Sequence, residues 1–341
     1  MQRCMQLAQL GAGNVAPNPM VGAVLVYDNK IIGEGYHQQY GAAHAEVNCF
    51  NSVSPANQHL INASTLYVSL EPCNHFGKTP PCADLIIQHR VPHVVIGSRD
   101  PFAAVDGKGI AKLRAAGIIV TENILQPEVF NLNKRFFTFH TIKRPWVLLK
   151  WAQTADGYIA AENYKRLAIS NAYTNRYTHQ LRSTEAAILV GFKTALLDDP
   201  MLNSRYGFSN HPVRIIIDEA LQLPTTAAVF ANTAPVIVIN RVTEKQEGHI
   251  HYAKVQEGVS LLLFLMKLLY NKKLLSLIVE GGAHTLQSFI DAGLWDEALV
   301  INNKTLFQKK GISAPTLHHQ QLTNECTIES DLLSTYKNPL A

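Results

Sequence analysis

Cysteine is scarce: five residues in 341, at Cys4, Cys49, Cys73, Cys82 and Cys326. An odd, sparse set in a chain this long excludes a disulfide scaffold. Charge is thin as well, with 16 % Asp, Glu, Lys and Arg and a formal net charge of +4. No Lys/Arg block is long enough to act as a nucleic-acid arm, and so small a positive balance suits a small anionic substrate equally well. Met1–Leu10 lacks an apolar h-region, so no secretory signal is visible and a reduced, cytoplasmic protein is expected. The most apolar run, Leu261–Tyr270, is interrupted by Lys267 and falls far short of the roughly 20 residues a membrane span needs. It reads as a buried helix. No Gly-x-Gly-x-x-Gly occurs, so dinucleotide binding cannot rest on that motif. Internal repeats and low-complexity tracts are absent too.

Apolar material is plentiful, at 47 % of residues, and the length suits two domains of roughly 100–200 residues each. Val21–Tyr27 and Lys30–Gly35 read as strands joined by a hairpin at Asp28-Asn29. A helix is expected from His44, a strand over Thr65–Leu70, and a helix opened by Pro81. Val94–Ile96 and Ile118–Val120 read as strands flanking a helix over Ile110–Ala116, with Gly117 as its C-cap. The polar stretch Thr141–Pro145 marks a boundary, giving domains 1–142 and 143–341. Beyond it, strands are expected over Trp146–Trp151, Ala186–Val190, Val213–Ile217, Val236–Ile239 and Ser276–Val279, with helices over Asn175–Ser183 and Ser260–Tyr270. Alternation of strands and helices predicts α/β layers in both halves.

Four residues in the first half carry chemistry. His44-Ala45-Glu46 is followed by Glu71-Pro72-Cys73, and Cys82 stands nine positions after Cys73. One imidazole and two thiolates are ligands that zinc favours, and three of them leave a fourth tetrahedral position open, the catalytic arrangement. Glu46, two residues from a ligand, can shuttle protons, as in zinc deaminases that attack an amidine-like ring carbon and expel ammonia. His44 and Cys82 both fall at expected helix starts, where partial positive charge favours thiolate. Cys49, on the same helix as Glu46, reads as core packing. His75 is a loop residue near Cys73 that could ligate.

The segments PNPMVGAVLV, HAEV, LEPCNHFGKTPPC and RDP…GKG resemble the bifunctional riboflavin biosynthesis deaminase–reductase family. ILVGFKTALLDDP, RIIID and LIVEGGAHTLQSFI, past the boundary, resemble its reductase half. The resemblance implies a cytidine-deaminase-like three-layer α/β/α domain followed by a dihydrofolate-reductase-like α/β domain. It implies that His44, Cys73 and Cys82 hold zinc, that Glu46 is the proton donor, and that Asn18 contacts the pyrimidine. The implied substrate is a diaminopyrimidinone carrying a phosphoribosylamino group, and the implied second cofactor is NADPH. A homodimer is implied as well.

Glu280-Gly281-Gly282 lies between an expected strand and helix, where backbone N–H groups can approach a phosphate. The family's cofactor contacts fall here on Ala152, Ala168, Thr194, Asp198 and the run Gly282, Ala283, His284, Thr285, Leu286, Gln287 and Ser288. Its substrate contacts fall on Arg166, Arg182, Leu202, Arg205 and Glu280; a guanidinium fork suits a phosphate. Three departures stand out. Thr154-Ala155-Asp156-Gly157 replaces the usual Ser-Leu-Asp-Gly, Ala168 replaces an aromatic residue, and Arg166 replaces a frequent Ser. A deaminase with an impaired reductase half is the alternative these raise. A nucleic-acid editing deaminase shares the His-x-Glu logic, but the cysteine spacing, the lack of a basic stripe and the attached second domain oppose it. A structural zinc module would leave Glu46 without a role.

Overall fold

The computed structural model describes residues 1–76, 80–163, 167–208, 210–231 and 233–341. The chain divides into two compact units, Met1–Lys143 and Arg144–Ala341.

In the first unit the order is α1 (Gln2–Gln9), β1 (Gly22–Tyr27), β2 (Lys30–Tyr36), α2 (Ala45–Ser52), a 3-10 segment (Pro55–Ala63), β3 (Thr65–Leu70), α3 (Cys82–Gln88), β4 (His93–Ser98), α4 (Lys108–Ala115), β5 (Ile119–Thr121), α5 (Gln126–Leu132) and α6 (Lys134–Ile142). Asp28 and Asn29 both adopt positive φ, 47° and 57°, the backbone of a two-residue hairpin turn. The sheet order is β2-β1-β3-β4-β5; β1 runs antiparallel to both neighbours, and β3, β4 and β5 are parallel. Alternation along β1 builds three layers. Ala23 and Leu25 pack against Ala45, Cys49 and Phe50 of α2, Ala83 and Ile86 of α3, and Ile110 and Leu113 of α4. Val24, between them, faces Cys4 and Leu7 of α1 on the opposite side.

The second unit contains β6 (Trp146–Gln153), β7 (Tyr158–Ala161), α7 (Ala172–Thr184), β8 (Ala187–Gly191), α8 (Phe192–Asp198), β9 (Val213–Ile217), β10 (Val236–Asn240), β11 (Lys245–Glu247), β12 (Ile250–Lys254), α9 (Leu261–Asn271), β13 (Ser276–Val279), α10 (Ala283–Asp291), β14 (Glu297–Asn303), β15 (Gly311–Ser313), β16 (Gln321–Ile328) and β17 (Asp331–Lys337). Ten strands form one sheet in the order β11-β12-β10-β9-β8-β13-β6-β14-β17-β16. From β12 to β14 the neighbours are parallel; β11, β17 and β16 join antiparallel. The central strands are buried on both faces, which is why they read as continuous apolar runs. Val147, Leu149, Leu189, Leu277 and Val279 pack under α9 and α10. Leu148, Ile188, Val190, Ile216 and Ile278 form the opposite core with Ala195 of α8.

The run Leu261–Tyr270 is the buried helix α9, with Leu265, Met266 and Leu269 turned inward. No helix among the described residues is long and apolar enough to cross a membrane. Helix α7 extends past the expected Asn175–Ser183 at its N-terminal end, because Asn171 caps it by accepting from the Thr174 N–H at 2.9 Å. The stretch expected to be a polar linker from Thr141 begins inside α6, whose Thr141 hydroxyl donates to the Phe137 carbonyl.

Candidate active sites of the two units

In the first unit the expected ligands converge. Cys82 Sγ lies 3.3 Å and Cys73 Sγ 3.5 Å from His44 Nδ1. The three donor atoms lie within 4.8 Å of one another and form the one such His/Cys/carboxylate group among the described residues. His75 lies outside it. His44 is the extended residue that precedes α2, Glu46 stands in that helix's first turn, and Cys82 opens α3 after Pro81. Cys73 leaves the end of β3, and its sulfur accepts from the Cys82 N–H at 3.3 Å.

The electrostatics fit a soft divalent ion. The Cys82 thiol, the His44 ring and the Cys82 N–H favour the Cys73 thiolate and pull its pKa down, while the same shared proton and burial push Cys82 up. The two sulfurs share a proton that a bound cation would displace. Glu46 is 3 % exposed. Burial first, then the Cys73 charge, raise its carboxyl above the ordinary range, the direction that strengthens a carboxylate as a proton acceptor. Cys49 is fully buried in the core, as expected.

Several positions gave no sequence signal. Glu71 is buried and accepts from four backbone N–H groups: Gly109 and Ile110 on Oε1, Gly107 and Asp100 on Oε2. It ties the end of β3, two residues before Cys73, to the start of α4. Asn133 exchanges two hydrogen bonds with the Met20 backbone, at 2.8 and 2.9 Å, and pins the loop that carries Asn18. His37 is buried, contacts Asn18 and meets the His44 ring edge-on at 5.3 Å between centroids. Glu71 stands in the Glu-Pro-Cys motif without its backbone partners being visible there; Asn133 and His37 belong to no local motif, and only folding brings them to the site.

In the second unit a cavity of about 1260 Å³ opens at the carboxyl ends of β8, β9 and β13, where ligands of parallel α/β sheets bind. Its walls include Ala152, Ala168, Thr194, Asp198, Gly282, Ala283, His284, Thr285, Leu286 and Ser288. Arg182, Leu202, Arg205 and Glu280 line it too. Gln287 does not: its side chain turns away to Asp291 and the Thr316 backbone. Leu286 is fully buried and also belongs to the core below. Arg166 lies outside the described residues. Ala168 puts a methyl group on the wall.

Close packing at Gly281 seats α10 at this cavity. A Cβ there would lie 2.5 Å from the Val190 Cα. The Glu280 carboxylate takes a two-pronged contact from Arg182, Nε and Nη2 both at 2.7 Å, with Lys150 Nζ 3.6 Å away. Burial would raise its pKa, but Arg182 and Lys150 outweigh burial and hold it at about 2. His179 is pushed down to about 4 by burial and by Arg182 and Arg205. Two of the expected substrate contacts, Arg182 and Glu280, are therefore each other's partners.

A His/Cys/Cys group beside a buried glutamate is the arrangement of a zinc deaminase, and the second unit offers a large cavity at the ends of its parallel strands. Residues 1–98 match the model of the cytidine and deoxycytidylate deaminase zinc-binding region, and residues 145–332 match the RibD C-terminal domain. A riboflavin biosynthesis protein RibD from Aquifex aeolicus is 40 % identical over 309 residues, spanning 88 % of this chain and 85 % of that protein. The Escherichia coli K12 RibD is 32 % identical, spanning 88 % and 85 %. The crystal structure of a diaminohydroxyphosphoribosylaminopyrimidine deaminase/5-amino-6-(5-phosphoribosylamino)uracil reductase from Thermotoga maritima superposes with a TM-score of 0.90 at 35 % identity, covering 99 % of this chain and 97 % of that one. The chain belongs to the RibD family of bifunctional riboflavin biosynthesis enzymes.

Proposed function

We propose that residues 1–142 hydrolyse the 2-amino group of 2,5-diamino-6-(5-phosphoribosylamino)pyrimidin-4(3H)-one, and that residues 143–341 reduce the ribosyl group of the product with NADPH. The final product is then 5-amino-6-(5-phosphoribitylamino)uracil. The observation that carries this reading is the convergence of His44, Cys73 and Cys82 beside the buried Glu46. Those three side chains would hold zinc, which supplies Lewis-acid activation of water when bound. In the hydrolysis a C–O bond to water forms at C2, the C2–N bond breaks, and ammonia leaves. Glu46 takes a proton from water and delivers it to the departing nitrogen; its raised pKa suits both halves of that transfer. Asn18 contacts the ring.

In the second unit Arg205 and Arg182 suit the phosphoribosyl group, with Leu202 beside them and Glu280 fixing the Arg182 fork. Ala152, Ala168, Thr194, Asp198, Gly282 and, on the first turns of α10, Ala283, His284, Thr285, Leu286 and Ser288 would hold NADPH, which supplies the hydride, while Gln287 faces away. A cytoplasmic homodimer is the setting we propose, on the family likeness.

The test of the first step is ammonia release from the diaminopyrimidinone by zinc-loaded protein. Glu46→Gln should lower kcat at least a hundredfold, the typical value of a general acid–base group, with one zinc still bound per chain. Full ammonia release by Glu46→Gln would remove the proton-transfer role.

A further inference from the structure

The geometry points to His37 as a positioning residue that fixes the Asn18 amide so that Asn18 reads the lactam edge, N3–H beside C4=O, of the pyrimidine in the deaminase site. This rests on the deaminase reading above. His37 follows β2 and is 3 % exposed. Its Nδ1 lies 3.1 Å from the Ala43 carbonyl oxygen, and its Nε2 lies 3.2 Å from Asn18 Nδ2. A carbonyl oxygen only accepts, so Nδ1 carries the ring proton. Nε2 is then a bare lone pair and demands a donor. Only the nitrogen end of the Asn18 amide can supply one; the flipped amide would set Oδ1 against that lone pair. His37 thereby settles which way the amide points.

The backbone leaves Asn18 little other freedom. Its N–H donates to the Val15 carbonyl at 2.9 Å, and two residues on, Met20 is held by Asn133 through its N–H and its carbonyl. The same His37 ring that contacts this amide meets the His44 ring edge-on at 5.3 Å between centroids. With one N–H given to His37, Asn18 retains Oδ1 as an acceptor and the N–H cis to it as a donor. That pair complements a ring N–H next to a carbonyl, which is the edge adjoining the C2 that reacts. The opposite orientation would complement a ring nitrogen next to an exocyclic amine. His37 thus decides, through Asn18, between a pyrimidinone and a 4-aminopyrimidine.

Binding of the diaminopyrimidinone to zinc-loaded, full-length Glu46→Gln protein, measured by titration calorimetry, tests this without turnover. His37→Phe should weaken Kd about tenfold, the value of one lost hydrogen bond, with zinc stoichiometry unchanged. In an Asn18→Ala background the same change should cost less than twofold. His37→Gln, whose amide offers a donor and an acceptor at comparable spacing, should recover binding to within about threefold. Effects of His37→Phe and Asn18→Ala that multiply, or His37→Gln as weak as His37→Phe, would overturn the role. Should His37→Phe fail to fold, the ¹⁵N resonance of His37 Nε2 in the unsubstituted protein decides: an unprotonated shift supports the assignment and a protonated one overturns it. Absence of ammonia release by the unsubstituted protein would instead remove the deaminase reading itself.

Discussion

Glu280 shows how one residue can carry both stability and a site. Its carboxylate is buried, and two nitrogens of Arg182 hold it at 2.7 Å. A carboxyl depressed from 4.5 to about 2 contributes about 3 kcal/mol of stability. Because the folded pKa lies below the unfolded one, that contribution is whole above about pH 4.5 and fades as pH falls towards 2. Glu280→Gln should therefore cost about 3–5 kcal/mol at pH 7, since Arg182 is left buried without its anion. The gap from the unsubstituted protein should narrow between pH 4.5 and 3 in urea unfolding curves. Curves that stay parallel across that range would mean that the pair is not what Glu280 contributes. Residue type alone made the His44, Cys73 and Cys82 cluster legible, because two cysteines nine residues apart, together with a His-x-Glu, have few other uses. Glu71, His37 and Asn133 had no such mark. Each works through backbone or side-chain groups far away in sequence, on partners that only the finished fold supplies.

Elements were most legible where burial on both faces writes a continuous apolar run. The expected Thr65–Leu70, Val213–Ile217 and Ser276–Val279 coincide with β3, β9 and β13. Strand β16 gave no such signal: all but the last of its residues are exposed, and it is a strand because it pairs with β17 at the sheet edge. Helix α6 was missed because four consecutive residues, Phe136 to Phe139, are buried and blur its apolar stripe. The turn at Gly281 was legible as a turn, but its tolerance was not. An alanine there would drive its Cβ into the Val190 backbone and push α10 off the sheet. Gly281→Ala should cost about 1–3 kcal/mol from overpacking and weaken NADPH binding at least tenfold. Gly117 offers the contrast, with φ of +81° and open space around its absent side chain. Gly117→Ala should cost only the roughly 1–2 kcal/mol of a left-handed residue, leaving ammonia release and the NADPH Kd unchanged. Urea unfolding and fluorescence titration measure both; equal NADPH affinities in the two variants would detach the turn from the cofactor.

At the scale of the whole chain, each unit has its own sheet and its own cores, and each places its site where parallel strands end. Cys73 stands three residues past the end of β3, and Glu280 follows β13 directly. The candidate ligands lie between His44 and Cys82, and the cavity wall runs from Lys150 to Ile312. Two sites built from separate residues should fail separately. His44→Ala removes the imidazole from the ligand group and should abolish ammonia release, while NADPH consumption with the deaminated intermediate supplied stays within twofold. Arg205→Ala removes a guanidinium from the reductase wall and should raise KM for that intermediate at least tenfold, since a charge-assisted hydrogen bond is worth about 1.5–3 kcal/mol. Its ammonia release should stay within twofold. A chelator should reproduce the His44→Ala pattern, and added zinc should reverse it, because the thiolates and imidazole remain in place to take the ion back. Loss of both activities in either variant would show that the two reactions share machinery, which the separation of their residues argues against.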